Sequence, residues 1–158
     1  MATMEKALVL SNKKLGGDMH EMEFKAPNLS IQCVPGQFVH IITGPGYDPL
    51  LRRPISLYDI NKNTGTISLL YKVVGKGTGL LSKVAVNEYL DVMGPLGRGF
   101  SIPSTPRRTL LVGGGVGIAP LVYLARELKQ KANEVTVLYG CSSQSEAPAA
   151  QRLQSIGV

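Results

Sequence analysis

The chain has 158 residues, 44% of them hydrophobic and 18% charged, which excludes a largely disordered protein. Its two cysteines, Cys33 and Cys141, cannot support a disulfide scaffold, and no apolar run reaches the roughly 18 residues that a membrane span needs. The net charge of +6 comes from dispersed basic residues without interleaved aromatic ones, so we expect no nucleic-acid partner. The N-terminus lacks the apolar core of a secretion signal, which predicts a reduced, cytoplasmic protein without a membrane partner.

The first hundred residues predict an all-β domain. The 18 glycines and 10 prolines fall between short apolar runs, as turns do between strands. A helix predicted from Thr78 to Val84, with Thr78 as its N-cap, interrupts the series. Six short strands favour a small antiparallel barrel or sandwich. The strands are predicted at residues 4–11, 19–25, 37–43, 54–60, 66–74 and 88–93.

The last fifty residues predict a different architecture, a β-α-β unit with parallel strands. The helix has apolar residues at helical spacing, and Lys129 lies in its last turn, where it suits the helix dipole. The predicted elements are a strand at 109–112, a helix at 118–131, a strand at 134–139 and a weaker helix near 147–155.

These patterns divide the chain into a β domain over residues 1–100, a linker over 101–108 and a partial α/β domain over 109–158. One β-α-β unit cannot cover both faces of a parallel sheet. A doubly wound domain usually contains about five strands, and this sequence predicts two. Either the chain is a fragment or another molecule supplies the missing cover.

The segment Arg53-Pro54-Ile55-Ser56 begins a predicted strand. Strand alternation places Arg53 and Ile55 on one face and Pro54 and Ser56 on the other. An arginine can bind a phosphate through two parallel hydrogen bonds, and a serine can bond to a ring nitrogen or carbonyl. From composition alone, a solvated arginine on an edge strand is the simpler interpretation.

The segment around Gly77 and Thr78 is rich in glycine and opens the predicted helix. Glycines allow close approach of a ligand to the backbone, and the N–H groups at a helix N-terminus favour an anion. A plain glycine turn into a short helix explains the segment equally well. Together with Arg53, however, this segment is a second feature suited to a phosphate, and the two features favour a binding site.

A third glycine-rich segment follows the strand at 109–112 and opens the next helix. It contains Gly113, Gly114, Gly115 and Gly117, in the context that a dinucleotide-binding loop requires. The match to G-x-G-x-x-G is imperfect because Pro120 occupies the last position. The placement favours a nucleotide-binding role over a generic turn.

The sequence offers no catalytic residue and no metal site. His20 and His40 lack partners at metal-ligand spacing, and no nucleophile elbow is visible. Cys141 follows a predicted strand, but a lone cysteine is more often a small buried residue than a nucleophile.

Taken in order, these motifs resemble the flavin-binding series of the ferredoxin reductase superfamily. The series comprises Arg53–Ser56, Leu70–Lys72, Gly77–Thr78, Gly94–Gly97 and Gly113–Pro120. Within that superfamily, the strings at 52–58 and 94–100 are similar to the electron-transfer subunits of bacterial NAD-dependent dihydroorotate dehydrogenases, which act in pyrimidine synthesis. The resemblance covers essentially the whole chain, and the ordered set is far more specific than any one motif.

The resemblance implies a six-stranded antiparallel FAD-binding barrel followed by a truncated Rossmann-like segment. Arg53 would hold the FAD pyrophosphate, with Gly77 and Thr78 capping it at the helix N-terminus. Ser56 would hydrogen-bond to the isoalloxazine. The remaining positions that the resemblance assigns are Leu70, Tyr71 and Lys72, which would line the flavin mostly through their backbone, and the glycines of 113–117, which would face the nicotinamide nucleotide.

The resemblance also implies cofactors and partners. NADH would reduce the FAD, and electrons would pass through a [2Fe–2S] cluster to FMN on the dihydroorotate dehydrogenase catalytic subunit. A cluster needs about four thiolates at close spacing, which Cys33 and Cys141 cannot supply. We therefore expect no cluster in this chain, an incomplete NAD site and retained FAD binding. The alternatives are a related subunit of a sulfhydrogenase or a ferredoxin:NADP oxidoreductase, or a non-catalytic β-barrel interaction module.

Overall fold

A computed structural model describes residues 2–44, 46, 48–143 and 147–158 of the chain. Its strands are β1 (Thr3–Gly16), β2 (Met19–Lys25), β3 (Phe38–Ile41), β4 (Arg53–Asn61), β5 (Thr66–Lys72) and β6 (Tyr89–Leu96). They close into an antiparallel barrel in the order β1-β2-β5-β4-β3-β6. The barrel, rather than a sandwich, is therefore the fold of the first hundred residues.

Two short helices, α1 (Pro27–Ser30) and α2 (Lys76–Leu81), accompany the barrel. The predicted start of α2 is wrong, because its N-cap is Gly75 and Thr78 is the third helical residue. The Thr78 hydroxyl accepts hydrogen bonds from the N–H groups of Val74 (3.0 Å) and Gly75 (3.3 Å) and donates one to the Gly75 carbonyl (3.1 Å). Thr78 thus caps α2 by reaching back to the residues that precede the helix.

Alternation along β4 and β5 fills the barrel with apolar side chains, as expected of strands with one face in the core. Ile55 and Leu57 of β4 and Leu69 of β5 belong to this core. The register shifts between Leu57 and Asp59, so Tyr58 is the extra residue of a β-bulge. The bulge turns Tyr58 out of the barrel.

The glycines of the string 94–100 permit close packing where β6 meets β3. A methyl group on Gly97, whose φ is +78°, would lie 2.8 Å from the ring of Phe38. One on Gly36, at φ +91°, would lie 2.7 Å from the ring of Phe100. Close packing therefore requires glycine at position 97 of the string and at position 36, which faces Phe100 of the string.

The second part of the chain contains two parallel strands and their helices. The elements are β7 (Arg108–Gly114), a 3-10 turn (Gly115–Ile118), α3 (Ala119–Gln130), β8 (Glu134–Gly140) and α4 (Pro148–Ser155). Gly113 and Gly114 thus belong to the strand, and the turn begins at Gly115. Among the helices described, none is long and apolar enough to cross a membrane.

One face of the parallel pair packs on the helices and the other faces solvent. Leu111 and Val135 are buried in a cluster with α3 and α4. On the opposite face, Leu110, Val112 and Leu138 are 59%, 67% and 55% exposed. Parallel strands are normally covered on both faces, so this exposure is unusual. The division into domains at 100 and 108 stays a prediction.

An apolar cluster joins the barrel to the α/β segment. Tyr58 of the bulge, Leu70 of β5 and Met19 of β2 are buried against Ile118 and Val122. Because outward-facing barrel residues form one side of this cluster, the α/β segment packs directly on the wall formed by β2, β5 and β4.

A buried carboxylate strengthens the same interface. The Asp59 side chain is only 7% exposed, and its two oxygens form ion pairs with Arg126 of α3 and Arg152 of α4. Arg126 also donates a hydrogen bond to the Ile60 carbonyl (2.7 Å) and lies 5.0 Å from the Tyr123 ring centroid. Burial of a single carboxylate between two arginines is favourable only while both ion pairs persist.

We therefore predict that Asp59→Asn lowers the free energy of unfolding by about 3 kcal/mol, because two guanidinium groups then face a neutral amide in a largely buried position. Urea unfolding monitored by circular dichroism measures the change. Glu134→Gln is the matched control, since Glu134 pairs with Arg108 at a largely exposed site and should contribute little. Equal stability of the Asp59→Asn variant and the parent chain would show that the ion pairs contribute nothing.

Candidate functional site

The strands β4 and β5 part from each other at one end of the barrel. Their pairing runs from Asn61–Thr66 to Leu57–Leu69 and ends there. Beyond that point, residues 53–56 pair with β3 and residues 70–72 pair with β2. The two segments predicted to bind a flavin therefore border the opening between these strands, where backbone groups have left the β4–β5 ladder.

Arg53 lies across the first turn of α2. A methyl group on Gly77 would be 2.2 Å from the Arg53 Nε and 2.9 Å from its Cδ. Only a glycine at position 77 leaves room for this arrangement. The fold thus brings together Arg53 and the Gly77-Thr78 pair, which the sequence separates by the whole of β5.

Arg53 and its neighbour Arg52 differ in whether a carboxylate pairs with the guanidinium group. Arg52 forms an ion pair with the Asp91 carboxylate (2.8 Å) and donates a hydrogen bond to the Asp91 carbonyl (3.1 Å). Among the residues that the structure describes, no carboxylate pairs with Arg53, although its side chain is half-buried. A half-buried guanidinium without a counter-charge is suited to bind an anion.

The first turn of α2 adds main-chain donors to the same place. The N–H of Gly79 bonds to the Gly75 carbonyl at 2.8 Å. The preceding amides, of Lys76, Gly77 and Thr78, come too early in the helix to have an intrahelical acceptor. The Thr78 hydroxyl already bonds to the backbone of residues 74 and 75. An anion beside Arg53 would therefore meet amides of α2 rather than this hydroxyl.

Asn12 of β1 fixes α2 on the barrel. Its amide nitrogen donates hydrogen bonds to the carbonyls of Leu81 (3.0 Å) and Val84 (2.9 Å), and its oxygen accepts one from the Tyr71 hydroxyl (3.0 Å). Burial raises the pKa of Tyr71, so this phenol remains a donor. The sequence gives no signal for Asn12, because it lies in a polar string far from its partners.

The β4 residues of the motif have distinct environments. Ile55 is buried in the barrel core, and Pro54 is exposed. Ser56, on the face opposite Ile55, is half-buried and pairs with Phe38 of β3. Of these three residues, Ser56 alone combines a polar side chain with a position on the outer face near the opening.

The β5 residues of the motif contribute mainly backbone. Leu70 is buried in the interface cluster and Tyr71 in the barrel core. Lys72, which ends the strand, is half-buried. Because the side chains of Leu70 and Tyr71 are committed to the protein interior, a ligand in the opening would meet the main chain of these two residues.

The third glycine segment lies beside β5. Gly113 is packed so closely that a methyl group would be 2.9 Å from the Ile118 side chain. Gly115 has a φ of +49°, and open space surrounds Gly115 and Gly117. Since Ile118 shares a cluster with Leu70, the turn lies next to the strand that borders the opening.

In comparison with known protein families, the model of the oxidoreductase FAD-binding domain matches residues 6–100. These residues include β2 to β6 and most of β1.

Curated relatives extend the similarity through the α/β segment. The chain is 43% identical over 140 residues to the electron-transfer subunit of dihydroorotate dehydrogenase B (NAD(+)) from Desulforamulus reducens, covering 89% of this chain and 53% of that protein. It is 41% identical over 142 residues to the corresponding subunit from a Geobacillus species, covering 89% and 55%. The chain therefore spans about half the length of the curated relatives it matches.

Solved structures share the fold. The structure of an NADH-dependent reduced ferredoxin–NADP oxidoreductase superposes with a TM-score of 0.81 at 32% identity, covering 90% of this chain and 50% of that one. A cytochrome P450 reductase of Amycolatopsis gives a TM-score of 0.81 at 25% identity, covering 98% and 48%. Both similarities include the barrel and the segment that packs on it.

We predict that Asn12→Ala lowers the free energy of unfolding by about 2 kcal/mol, because it removes three hydrogen bonds and leaves the partly buried Tyr71 hydroxyl without its acceptor. Urea unfolding measures the loss. Asn63→Ala, in the exposed β4–β5 turn, is the matched control and should change stability by less than about 0.5 kcal/mol. A loss no larger than that of the control would contradict the role of Asn12 in holding α2.

Proposed function

This chain belongs to the family of oxidoreductase FAD-binding domains, and we propose on that premise that it binds FAD at the opening between β4 and β5 and passes electrons through the bound flavin. The observation that carries the proposal is the half-buried Arg53, which has no carboxylate partner among the described residues and lies across Gly77 at the start of α2. This cation and the parted strands occupy the same end of the barrel.

The residues present fit the chemistry of FAD. A pyrophosphate carries two negative charges, which suit the Arg53 guanidinium and the first-turn amides of Gly77 and Thr78. The isoalloxazine has a planar ring with a hydrogen-bonding edge, and we propose that Ser56 bonds to that edge. The backbone of residues 70–72 would then line the ring or the ribityl chain from the other side of the opening.

Bound FAD supplies the redox chemistry, since a flavin accepts a hydride and releases electrons one at a time. The protein positions the cofactor and controls access to it. We propose that Gly113, Gly114, Gly115 and Gly117 admit the nicotinamide nucleotide, because the glycine turn lies beside β5 and open space surrounds Gly115 and Gly117. The donor would thereby approach the flavin from the α/β segment.

For the whole protein we propose NADH as the electron donor and a dihydroorotate dehydrogenase catalytic subunit as the partner. The support is the 43% identity to an electron-transfer subunit of that enzyme. The two cysteines of this chain, Cys33 and Cys141, are too few for a [2Fe–2S] cluster. A cluster would need thiolates beyond those of this sequence. The cytoplasmic, reduced location expected from the sequence stays a prediction.

A second candidate is a subunit of a ferredoxin:NADP oxidoreductase. The 32% identity to an NADH-dependent reduced ferredoxin–NADP oxidoreductase favours it. The two candidates share the proposed flavin site and differ in the partner that receives the electrons. Co-purification of the whole protein with a subunit that oxidises dihydroorotate would support the first candidate.

The proposal predicts that the purified chain binds FAD and that Arg53→Ala weakens this binding at least about tenfold, because a charge-assisted pair with the pyrophosphate is lost. Titration followed by flavin absorption and fluorescence measures the Kd. Arg52→Ala is the matched control, since Arg52 is already paired with Asp91. The FAD Kd of this variant should stay within about twofold of the parent value.

Addition of NADH under anaerobic conditions then tests the donor, since bleaching of the flavin bands would show that reduction occurs. No flavin binding, or equal affinity in the Arg53→Ala variant, would contradict the proposed site. The first of these results would favour the non-catalytic interaction module.

A pair of glycine substitutions in α2 tests the packing of Arg53. Gly77→Ala should weaken FAD binding at least about tenfold, because the new methyl group displaces the Arg53 side chain from the first turn. Gly79→Ala is the matched control, since its methyl group would meet only Val73 at 3.9 Å. That variant should bind FAD normally and gain up to about 1 kcal/mol of stability. Equal effects of both substitutions on the Kd would contradict the role of Gly77.

A further inference from the structure

We propose that His20 of β2 is a positioning residue for the candidate flavin site, which acts through Tyr71 and Asn12 on α2. These residues form a connected path across three strands of the barrel to the helix whose first turn lies beside Arg53. None of the motifs in the sequence includes His20. The inference rests on the proposed function and extends it to a residue outside the proposed contacts with the ligand.

His20 and Tyr71 form a stacked pair on neighbouring strands. They are directly opposite each other in the β2–β5 register, and their ring centroids are 5.5 Å apart with an angle of 25° between the ring planes. His20 shares its face of β2 with Met22 and Phe24, which are buried in the barrel core. The half-buried imidazole therefore lies at the rim of the core, against the ring of Tyr71.

The Tyr71 hydroxyl continues the path to α2. It donates a hydrogen bond to the Asn12 Oδ1 (3.0 Å), and the Asn12 amide nitrogen donates to the carbonyls of Leu81 (3.0 Å) and Val84 (2.9 Å). Leu81 follows Gly77 by about one helical turn. A displacement at the end of this short helix therefore also moves the amides of its first turn, so the position of the Tyr71 ring affects the proposed anion site.

The surroundings of His20 favour its neutral form. Its Nδ1 is buried and has no hydrogen-bond partner among the described residues, so a proton on this atom would have no acceptor. Burial and the positive charge of Lys14, which is opposite His20 on β1, lower the pKa of His20, and the opposing effect of Asp18 in the β1–β2 turn is smaller. On β5, Tyr71 stays neutral because burial raises the pKa of its phenol, and Lys72 lies on the opposite face of the strand.

Protonation of His20 would disturb the stacked pair. The face of a tyrosine ring attracts an imidazolium, but the buried N–H would still lack an acceptor, and the imidazolium avoids this cost by moving out into water. The Tyr71 ring would then lose its neighbour, and the hold of Asn12 on α2 would weaken. We therefore expect the affinity for FAD to fall as the pH decreases below about 6.5, since a solvated histidine takes up its proton in that range.

The experiment measures the FAD Kd of the full chain by fluorescence titration between about pH 5.5 and about pH 7.5, the range in which a histidine titrates. The Kd of the parent chain should rise at least about threefold from the higher to the lower pH. The pyrophosphate of FAD carries the same charge throughout this range. The chain contains two histidines, His20 and His40, so a second variant can assign the effect.

His20→Phe keeps a ring against Tyr71 and cannot take up a proton. Its Kd should lie within about twofold of the parent value at the higher pH and stay constant as the pH falls. His40→Gln is the matched control, because it removes the other histidine, which lies against Phe38 on β3. This variant should keep the pH dependence of the parent chain. Circular dichroism at each pH measures whether the variants remain folded.

Tyr71→Phe tests the path itself, also where His20→Phe does not fold. It keeps the stacked ring and removes the hydroxyl that bonds to Asn12, so its Kd should no longer depend on pH. A parent Kd that stays constant over the pH range would overturn the positioning role while the flavin site stands. The same conclusion would follow if either variant kept the full pH dependence, or if His40→Gln abolished it. Failure of the parent chain to bind FAD at any pH would overturn the proposed function and this inference together.

Discussion

The parting of β4 from β5 beyond the Leu57–Leu69 pair is the constraint on which the candidate site depends. In a closed barrel each strand normally pairs on both sides, and backbone groups that leave the ladder need other partners. Here residues 53–56 stay with β3 and residues 70–72 stay with β2. The barrel therefore keeps its closed order and still opens at one end, where α2 follows β5 and places its first turn beside Arg53.

The bulge at Tyr58 links this opening to the rest of the chain. One extra residue in β4 increases the local twist at the place where the pairing with β5 ends. The same residue turns outward into the interface cluster, and Asp59 next to it meets Arg126 and Arg152. A single irregularity in one strand thus borders the opening and provides the surface on which the α/β segment packs. The glycine turn after β7 is brought beside β5 by the same packing.

The sequence predicted strands where apolar residues recur within a short run and failed where the signal is local or weak. The predicted strand 19–25 agrees with β2, in which the alternate residues Met22 and Phe24 are buried in the barrel core. β1 extends well past the predicted residue 11, since its polar second half is held by pairing with β2 rather than by burial. Thr78 was predicted as an N-cap because threonine is common there. The structure uses its hydroxyl from the third helical position instead, and Gly75 is the N-cap.

The residues of the candidate site also divide into those that a sequence motif marks and those that no motif marks. The resemblance carried by the ordered motifs predicted a shared site for Arg53, Gly77 and Thr78, and the structure places the Arg53 side chain against Gly77. Asn12 could not be predicted, since nothing in its immediate sequence marks it. Asn12 acts through carbonyls and a hydroxyl that lie on distant elements.

Burial together with pairing, rather than net charge, distinguishes the arginine that suits a ligand. Arg98 and Arg107 also have no carboxylate partner among the described residues, but both are exposed. Arg52, Arg108, Arg126 and Arg152 each contact a carboxylate, so their charges serve the fold. Arg53, adjacent to Arg52, has no such partner among the described residues, and Gly77 lets it lie where helix amides also point. A net charge of +6 spread over the surface is screened by salt and selects no ligand. One half-buried guanidinium beside unbonded amides is screened less, and it fixes both the position and the charge of what it binds.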